Sequence, residues 1–408
     1  MKFNSLKIKE GIYFVGAVDK DLRVFDILME TEFGTTYNAY LVKGSEKTAL
    51  IDTAKAPFRD QFMDRIQDIL PIQDIDYLII NHAEPDHSGT VIDILEVHPN
   101  IEIFATGPGV MNLKAIVNQD ANFNVVKEGQ TLSLGDQTLM FTLQPNLHWP
   151  DTMFTYLVEE KLLFTCDFFG AHYAFDGVME DQIPNMNDYD RSIKHYYDSI
   201  MSPFPKDVRR GVQKIKALDP DMVLVSHGAV IKKPYIHKVI QWYESWSKEK
   251  DPNTEPTVVI PFASAYKYTK MMAETIKLGI EEAYLNQVNV KLFDVETSST
   301  EEIVEEINQA DAFLVGSATI VRDAVKPIWD ILSSLNVEVT KGKLAAAFGS
   351  YGWSGEAVKN LTERLIQLKA KTLEGIRIKF KPSSEQLEEI KNFGIQFAKT
   401  LQEIKKSS

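Results

Sequence analysis

Short apolar runs broken by turn residues dominate the first part of the chain: TALIDTA, DYLIINHA, IEIFATG, QTLMFTL, TYLVEEKLLFTCDFF and DMVLVSHG. Runs of this length, bounded by Asp, Asn, Gly and Pro, predict strands. Between several of them the apolar positions recur at helical spacing, as in FRDQFMDRIQDIL and VRRGVQKIKAL, so a strand-rich α/β layer structure is expected. The texture changes at SWSKEKDPNTEPT, residues 245–257, where charge, proline and asparagine displace the apolar period. Beyond it the pattern alternates strictly: TVVIPFAS, a helix through KMMAETIKLGIEEA, VNVKLFDVE, a helix from SSTEEIVEEINQ, AFLVGSA, another helix, KLAAAFGSY, a helix, and IRIKF. Near-continuous apolar strands separated by helices predict a doubly wound parallel sheet, closed by the helix SSEQLEEIKNFGIQFAKTLQEI. Two α/β domains follow, residues 1–250 and 255–408, with no internal repeat or low-complexity segment.

Composition narrows the function classes. A chain of 408 residues with 44% apolar content is long enough for two ordinary cores. Its formal charge of −14 disfavours nucleic acid and anionic membrane as partners. Cys166 is the single cysteine, which excludes intrachain disulfides and any cluster held by several thiolates. The opening MKFNSLKIKEGIYFVG lacks the apolar core of a signal peptide, and no run approaches the length of a membrane span, so the expected location is the cytoplasm.

Chemistry concentrates in NHAEPDHSG, residues 81–89, where His82, Glu84, Asp86 and His87 fall within six positions directly after the strand DYLII. Active sites of α/β layers sit at such strand ends. A charged surface loop would account for any one of these residues, but less well for four ligand types at this spacing. Further candidates stand at later strand ends: His148 in QPNLHWPDT, Asp167 in LLFTCDFFG and His227 in MVLVSHG. Four imidazoles and three carboxylates exceed the needs of one ion. Two metals sharing a bridging carboxylate would use them all, with Asp167 as the bridge.

The order HxExDH, then His148, Asp167 and His227, resembles the metallo-β-lactamase superfamily, whose hydrolytic members usually carry HxHxDH and bind zinc. Here the second histidine is Glu84, a harder and more anionic donor that suits redox-active iron. With an alternating α/β domain behind it, the chain is similar to the flavodiiron proteins, also called A-type flavoproteins. Matching stretches include GTTYNAYLV at 34–42, HWPDT at 148–152 and YYDSIMSPF at 196–204, so the resemblance covers essentially the whole chain. It implies an N-terminal metallo-β-lactamase-like αββα sandwich and a C-terminal flavodoxin-like domain. It also implies one iron held by His82, Glu84 and His148, and a second by Asp86, His87 and His227, bridged by Asp167.

The second domain would then hold flavin mononucleotide (FMN), with phosphate in the turn after its first strand, at a helix N-terminus. That turn supplies Ser264, Ala265, Tyr266 and Thr269, but Lys267 and Tyr268 stand where the family usually has glycine and a small polar residue. Lys267 would replace close backbone approach with charge or weaken flavin retention, and Tyr268 would cover the phosphate. The later loops match: LVGSATI, with Ser317, Ala318 and Thr319, and FGSYGWSGEA. In the latter Ser350, Tyr351, Gly352, Trp353, Ser354 and Gly355 offer an aromatic platform and backbone donors for the isoalloxazine ring.

The resemblance implies reduction of dioxygen to water, of nitric oxide to nitrous oxide, or both. Electrons would come from an external donor, a separate rubredoxin or a reduced deazaflavin coenzyme. His172, five residues beyond Asp167, is a candidate proton donor or a structural histidine; Tyr197 is a candidate hydrogen-bonding group near the bound gas, or part of an amphipathic helix. Trp149 would wall the pocket. A head-to-tail homodimer, or a dimer of such dimers, would bring the flavin of one subunit to the irons of the other. Two other readings compete: a dizinc hydrolase with a flavodoxin passenger, and an electron-transfer or sensing flavoprotein whose metal site is idle.

Overall fold

Alternation along the strands decides the layers of the N-terminal unit. In Tyr40–Lys43, Tyr40 and Val42 face one way while Leu41 faces the other; in Leu162–Cys166, Leu162 and Phe164 oppose Leu163 in the same manner. The first set of side chains meets between two sheets, in a core that includes Phe14, Ile51, Phe141 and Leu224. The opposite sets pack against helices. Leu41 and Leu50 meet Phe62 and Ile66 of Arg59–Gln67; Leu163 and Val223 meet Val208 and Val212 of Pro205–Leu218. The result is an αββα sandwich.

The computed structural model describes residues 3–248 and 255–407. Within them the first sheet has seven strands, ordered Leu6–Lys9, Ile12–Phe14, Tyr40–Lys43, Thr48–Ile51, Tyr77–Ile79, Glu102–Ala105 and Asn122–Val125. The facing sheet has six, ordered Thr131–Ser133, Thr138–Leu143, Met153–Leu157, Leu162–Cys166, Met222–Val225 and Ile231–Lys232. The run TYLVEEKLLFTCDFF is therefore a hairpin, its two strands joined through Lys161, whose φ is +52°.

In the C-terminal unit, Asn289–Asp294, Thr257–Ala263, Ala312–Ser317 and Leu344–Tyr351 lie side by side, all parallel, with Lys371–Thr372 and Ile376–Lys379 both pairing Leu344–Tyr351. The second strand in the chain flanks the first, and the third and fourth follow on the other side. This is the flavodoxin-like order, with its switch point between the first and third strands. Val258, Ile260 and Phe262 pack against the helices Tyr268–Ala283 and Ser384–Ser407, while Val259 and Ala263 face Thr300–Gln309 and Lys326–Ser334.

Contacts divide the chain into Met1–Glu249 and Lys250–Ser408. The expected boundary at 245–257 includes 249–254, which lie outside the described residues. No helix among the described residues is long and apolar enough to cross a membrane.

Candidate metal centre and flavin cavity

Three strand ends converge on one buried cluster. His82, Glu84, Asp86 and His87 follow Tyr77–Ile79, the last two inside the short helix Pro85–Ser88; Asp167 follows Leu162–Cys166, and His227 follows Met222–Val225. His148 enters from the loop between Thr138–Leu143 and Met153–Leu157. Ligand atoms of His82, Glu84, His148 and Asp167 all lie within 4.8 Å of one another, as do those of Asp86, His87 and His227. Asp167 joins the groups. Its Oδ2 lies 3.7 Å from His82 Nε2 and 3.5 Å from His148 Nε2, while Oδ1 lies 3.0 Å from His87 Nε2 and 3.5 Å from His227 Nε2.

The cluster is built to hold positive charge. Burial opposes protonation of His82, but the Asp151 and Glu84 carboxylates outweigh it and push the imidazole up to about 10. His148 is likewise pushed up to about 10 against burial by Asp167 and Glu84, and His87 to about 9 by Asp86 and Asp167. Glu84 and Asp167 are held well below the usual carboxylate range, since their histidine neighbours outweigh burial. Both carboxylate oxygens of Asp86, Oδ2 of Asp167 and both ring nitrogens of His87 are buried without a hydrogen-bond partner among the described residues. Buried polar atoms left in this state ask for a ligand, and cations would satisfy the carboxylate oxygens together with one nitrogen of His87.

A surrounding shell fixes the ligands. His82 Nδ1 lies 3.1 Å from Asp151 Oδ1, and the other oxygen of Asp151 accepts the Ala83 N–H at 2.7 Å. His227 Nδ1 lies 2.6 Å from the Thr36 carbonyl, a donor position that frees Nε2 for a metal. The Tyr196 hydroxyl and the Ser226 hydroxyl donate to Asp167 Oδ1 at 3.0 and 2.8 Å. Cys166, just before Asp167, has φ +51° at an irregularity in strand pairing, and the kink helps to aim the carboxylate.

Of the two candidate catalytic residues, Tyr197 and His172, only the second lies beside the cluster. Tyr197 turns away from the centre: its ring packs against Tyr243 and Trp246, 5.0 Å from each. Consecutive helical residues point about 100° apart, so only one of two neighbouring tyrosines can reach Asp167, and it is Tyr196. His172 is buried beside the cluster, with Nδ1 2.8 Å from Thr35 Oγ1, which is 3.3 Å from His227 Nδ1. Burial, then the neighbouring His227, keeps its imidazole well below the ordinary range. Trp149 stands edge-on to His82, with ring centroids 5.0 Å apart.

In the C-terminal unit the loops after the first, third and fourth strands enclose a cavity of about 260 Å³. Ala265, Tyr266, Tyr268, Ala318, Thr319 and the segment Ser350, Tyr351, Gly352, Trp353 and Ser354 line it. Ser264 Oγ accepts the Lys270 N–H at 3.1 Å, and Thr269 Oγ1 lies 2.9 Å from Ser350 Oγ, so these hydroxyls knit the first and fourth loops. Ser317 accepts the Val325 N–H at 3.1 Å, and Gly355 precedes the helix Glu356–Gln367. Lys267 caps Tyr268–Ala283 with φ +63°, the left-handed region that favours glycine. Ile320, Val321, Arg322 and Phe380 complete the walls, and sequence reasoning missed all four.

A family described as "ODP family beta lactamase" matches residues 35–228, and one described as "Flavodoxin" matches 260–394. The flavo-diiron protein FprA2 of Clostridium acetobutylicum is 40% identical over 401 residues, covering 97% of this chain and 100% of that protein. This chain belongs to the flavodiiron proteins. Among other relatives of this flavodiiron protein, the nitric oxide reductase of Moorella thermoacetica is 34% identical, covering 96% of this chain and 97% of that one. The structure of rubredoxin oxygen:oxidoreductase from Desulfovibrio gigas superposes with a TM-score of 0.69 at 30% identity, over 98% of this chain and 99% of that one. Both cofactors of a flavodiiron protein, a diiron centre and FMN, have a fitting place. The orphaned carboxylate and imidazole atoms suit two ions, and the aromatic cavity at the sheet's switch point, with the buried Ser354 hydroxyl unpartnered among the described residues, suits a flavin.

Proposed function

We propose that this flavodiiron protein reduces dioxygen to water, nitric oxide to nitrous oxide, or both, with electrons passed from an external donor through FMN. The observation that carries the reading is Asp167, whose two oxygens face two separate ligand groups, one of which contains Glu84 where a zinc hydrolase would have imidazole. His82, Glu84 and His148 hold one iron in this reading, Asp86, His87 and His227 the other. Ferrous ions held by these two groups would supply single electrons to a diatomic oxidant. Dioxygen takes up four electrons and four protons to give two waters; two nitric oxide molecules take up two of each to give nitrous oxide and one water.

The chain's own residues set the geometry. Asp151 and the Thr36 carbonyl hold His82 and His227 so that Nε2 faces the metals. Tyr196 and Ser226 fix the bridging carboxylate, and Trp149 shields His82. His172, linked to His227 through Thr35, positions that ligand. In the flavin cavity Tyr351 and Trp353 would offer aromatic surface to the ring of FMN, and the turn from Ser264 to Thr269 would hold its phosphate.

The donor is of rubredoxin type or a reduced deazaflavin coenzyme; the name of the Desulfovibrio relative supports the first. The division into residues 1–250 and 255–408, the cytoplasmic location and a head-to-tail homodimer or dimer of dimers complete the reading. Consumption of each gas by iron- and flavin-analysed protein, driven by one chemically reduced donor, tests it. Turnover of either gas supports the reading, a tenfold preference would name the physiological substrate, and consumption of neither refutes it.

A further inference from the structure

The strands Thr319–Ile320 and Asp323–Ala324 are joined by a two-residue turn, Val321 and Arg322, with φ of +50° and +63°. Turns of this kind favour Asn-Gly, because both central residues must enter the left-handed region. A β-branched valine there is an outlier, and an arginine gains nothing from the backbone. Strained positions of this sort persist where the side chains are needed.

Both residues line the flavin cavity, and among the described residues no acidic one does. Arg322 makes no ion pair among the described residues. The adjacent carboxylate, Asp323, is committed elsewhere, accepting the Ala324 N–H at 2.7 Å and the Asn360 side-chain amide at 2.9 Å. The nearby Arg377 is committed too, lying 6.0 Å over the Tyr351 ring and donating to the Gly355 carbonyl at 3.1 Å. Arg322 thus brings a permanently charged guanidinium, exposed and without an ion-pair partner among the described residues, to the wall of an aromatic cavity.

We propose that Arg322 stabilises the negative charge that the flavin ring acquires on reduction, and so raises the reduction potential of bound FMN. The oxidised ring is neutral; two electrons from the external donor and one proton from solvent give an anionic reduced ring, with its charge on the pyrimidine edge. A nearby cation lowers the energy of that form relative to the oxidised one. The proposal rests on the electron route through FMN, and its readout is independent of gas turnover.

The test is a spectroelectrochemical titration of full-length holoprotein, wild type against Arg322→Asn and Arg322→Lys. Asparagine tolerates the left-handed backbone, so the turn survives the loss of charge. Arg322→Asn should weaken the preference for reduced over oxidised flavin about tenfold, equivalent to a fall of ~30 mV in the two-electron potential. Arg322→Lys should recover most of it. An unchanged ratio in Arg322→Asn overturns the proposal. So does an equal loss of FMN affinity in both oxidation states with riboflavin affinity spared, which would make Arg322 a phosphate contact.

Discussion

Asp86, His87, Asp167 and His227 are at most 4% exposed, whereas Tyr266 and Trp353 at the flavin cavity are 80% and 79% exposed. Both sites lie beyond the C-terminal ends of strands, yet one is a mostly buried, charged cluster, with Glu84 and His148 partly exposed, and the other an open aromatic cleft. At the metal centre three of the candidate ligands have outside partners that fix their direction: Asp151 for His82, Tyr196 and Ser226 for Asp167, and the Thr36 carbonyl for His227. At the flavin cavity the walls are loop tips, two of them in left-handed backbone at Lys267 and at Val321 and Arg322. The difference matches what each site must do. Small ions need fixed donor directions in a dry site, while a large planar cofactor needs a face that another molecule can approach with electrons.

That contrast predicts large effects at the centre and smaller ones at the cavity. Replacing the bridge should have the greatest effect: Asp167→Asn removes the anion that both ligand groups share, and iron content should fall below about one per chain. Retention of full iron in that variant would remove Asp167 from the role of bridge. One shell further out, Asp151→Asn leaves every ligand in place but loosens His82, so iron affinity should fall about 10- to 100-fold in a chelator competition.

A matched pair sharpens the point. Tyr196→Phe removes a hydrogen bond to a buried carboxylate and should cost about 1.5–3 kcal/mol in denaturant unfolding, besides shifting the iron spectrum. Tyr197→Phe should leave the spectrum unchanged, because that ring packs on Tyr243 and Trp246. The smallest effect belongs to the cavity rim. Lys267→Gly relaxes a left-handed residue and should stabilise the apoprotein by up to about 1 kcal/mol in a thermal melt. FMN affinity should fall while riboflavin affinity holds; tighter FMN binding in this variant would show that the lysine does not substitute for backbone contact with phosphate.

What could be seen in the sequence follows the same division. The candidate ligands other than His148 could be picked out because each follows the end of an apolar strand, where a polar side chain has no bland reason to recur. The parallel C-terminal sheet was legible because its three central strands are buried on both faces and read as continuous apolar runs. Asp151 was harder: one aspartate in HWPDT has no local pattern, and its bond to His82 spans 69 positions. Tyr197 lies one helical position from Tyr196, the neighbour that reaches Asp167, and an amphipathic pattern alone does not distinguish the two. Phe380 and Arg322 gave no signal, since cavity walls assembled from distant loops have no spacing, and a turn lacking glycine and asparagine does not announce itself.

The central claim is that Glu84 and the shared Asp167 make this an iron centre coupled to a flavin. Metal and flavin analysis of protein purified without added zinc tests it most directly. The account predicts about two iron ions and about one FMN per chain, as the two ligand groups and the one cavity require. Two zinc ions and no iron would contradict it.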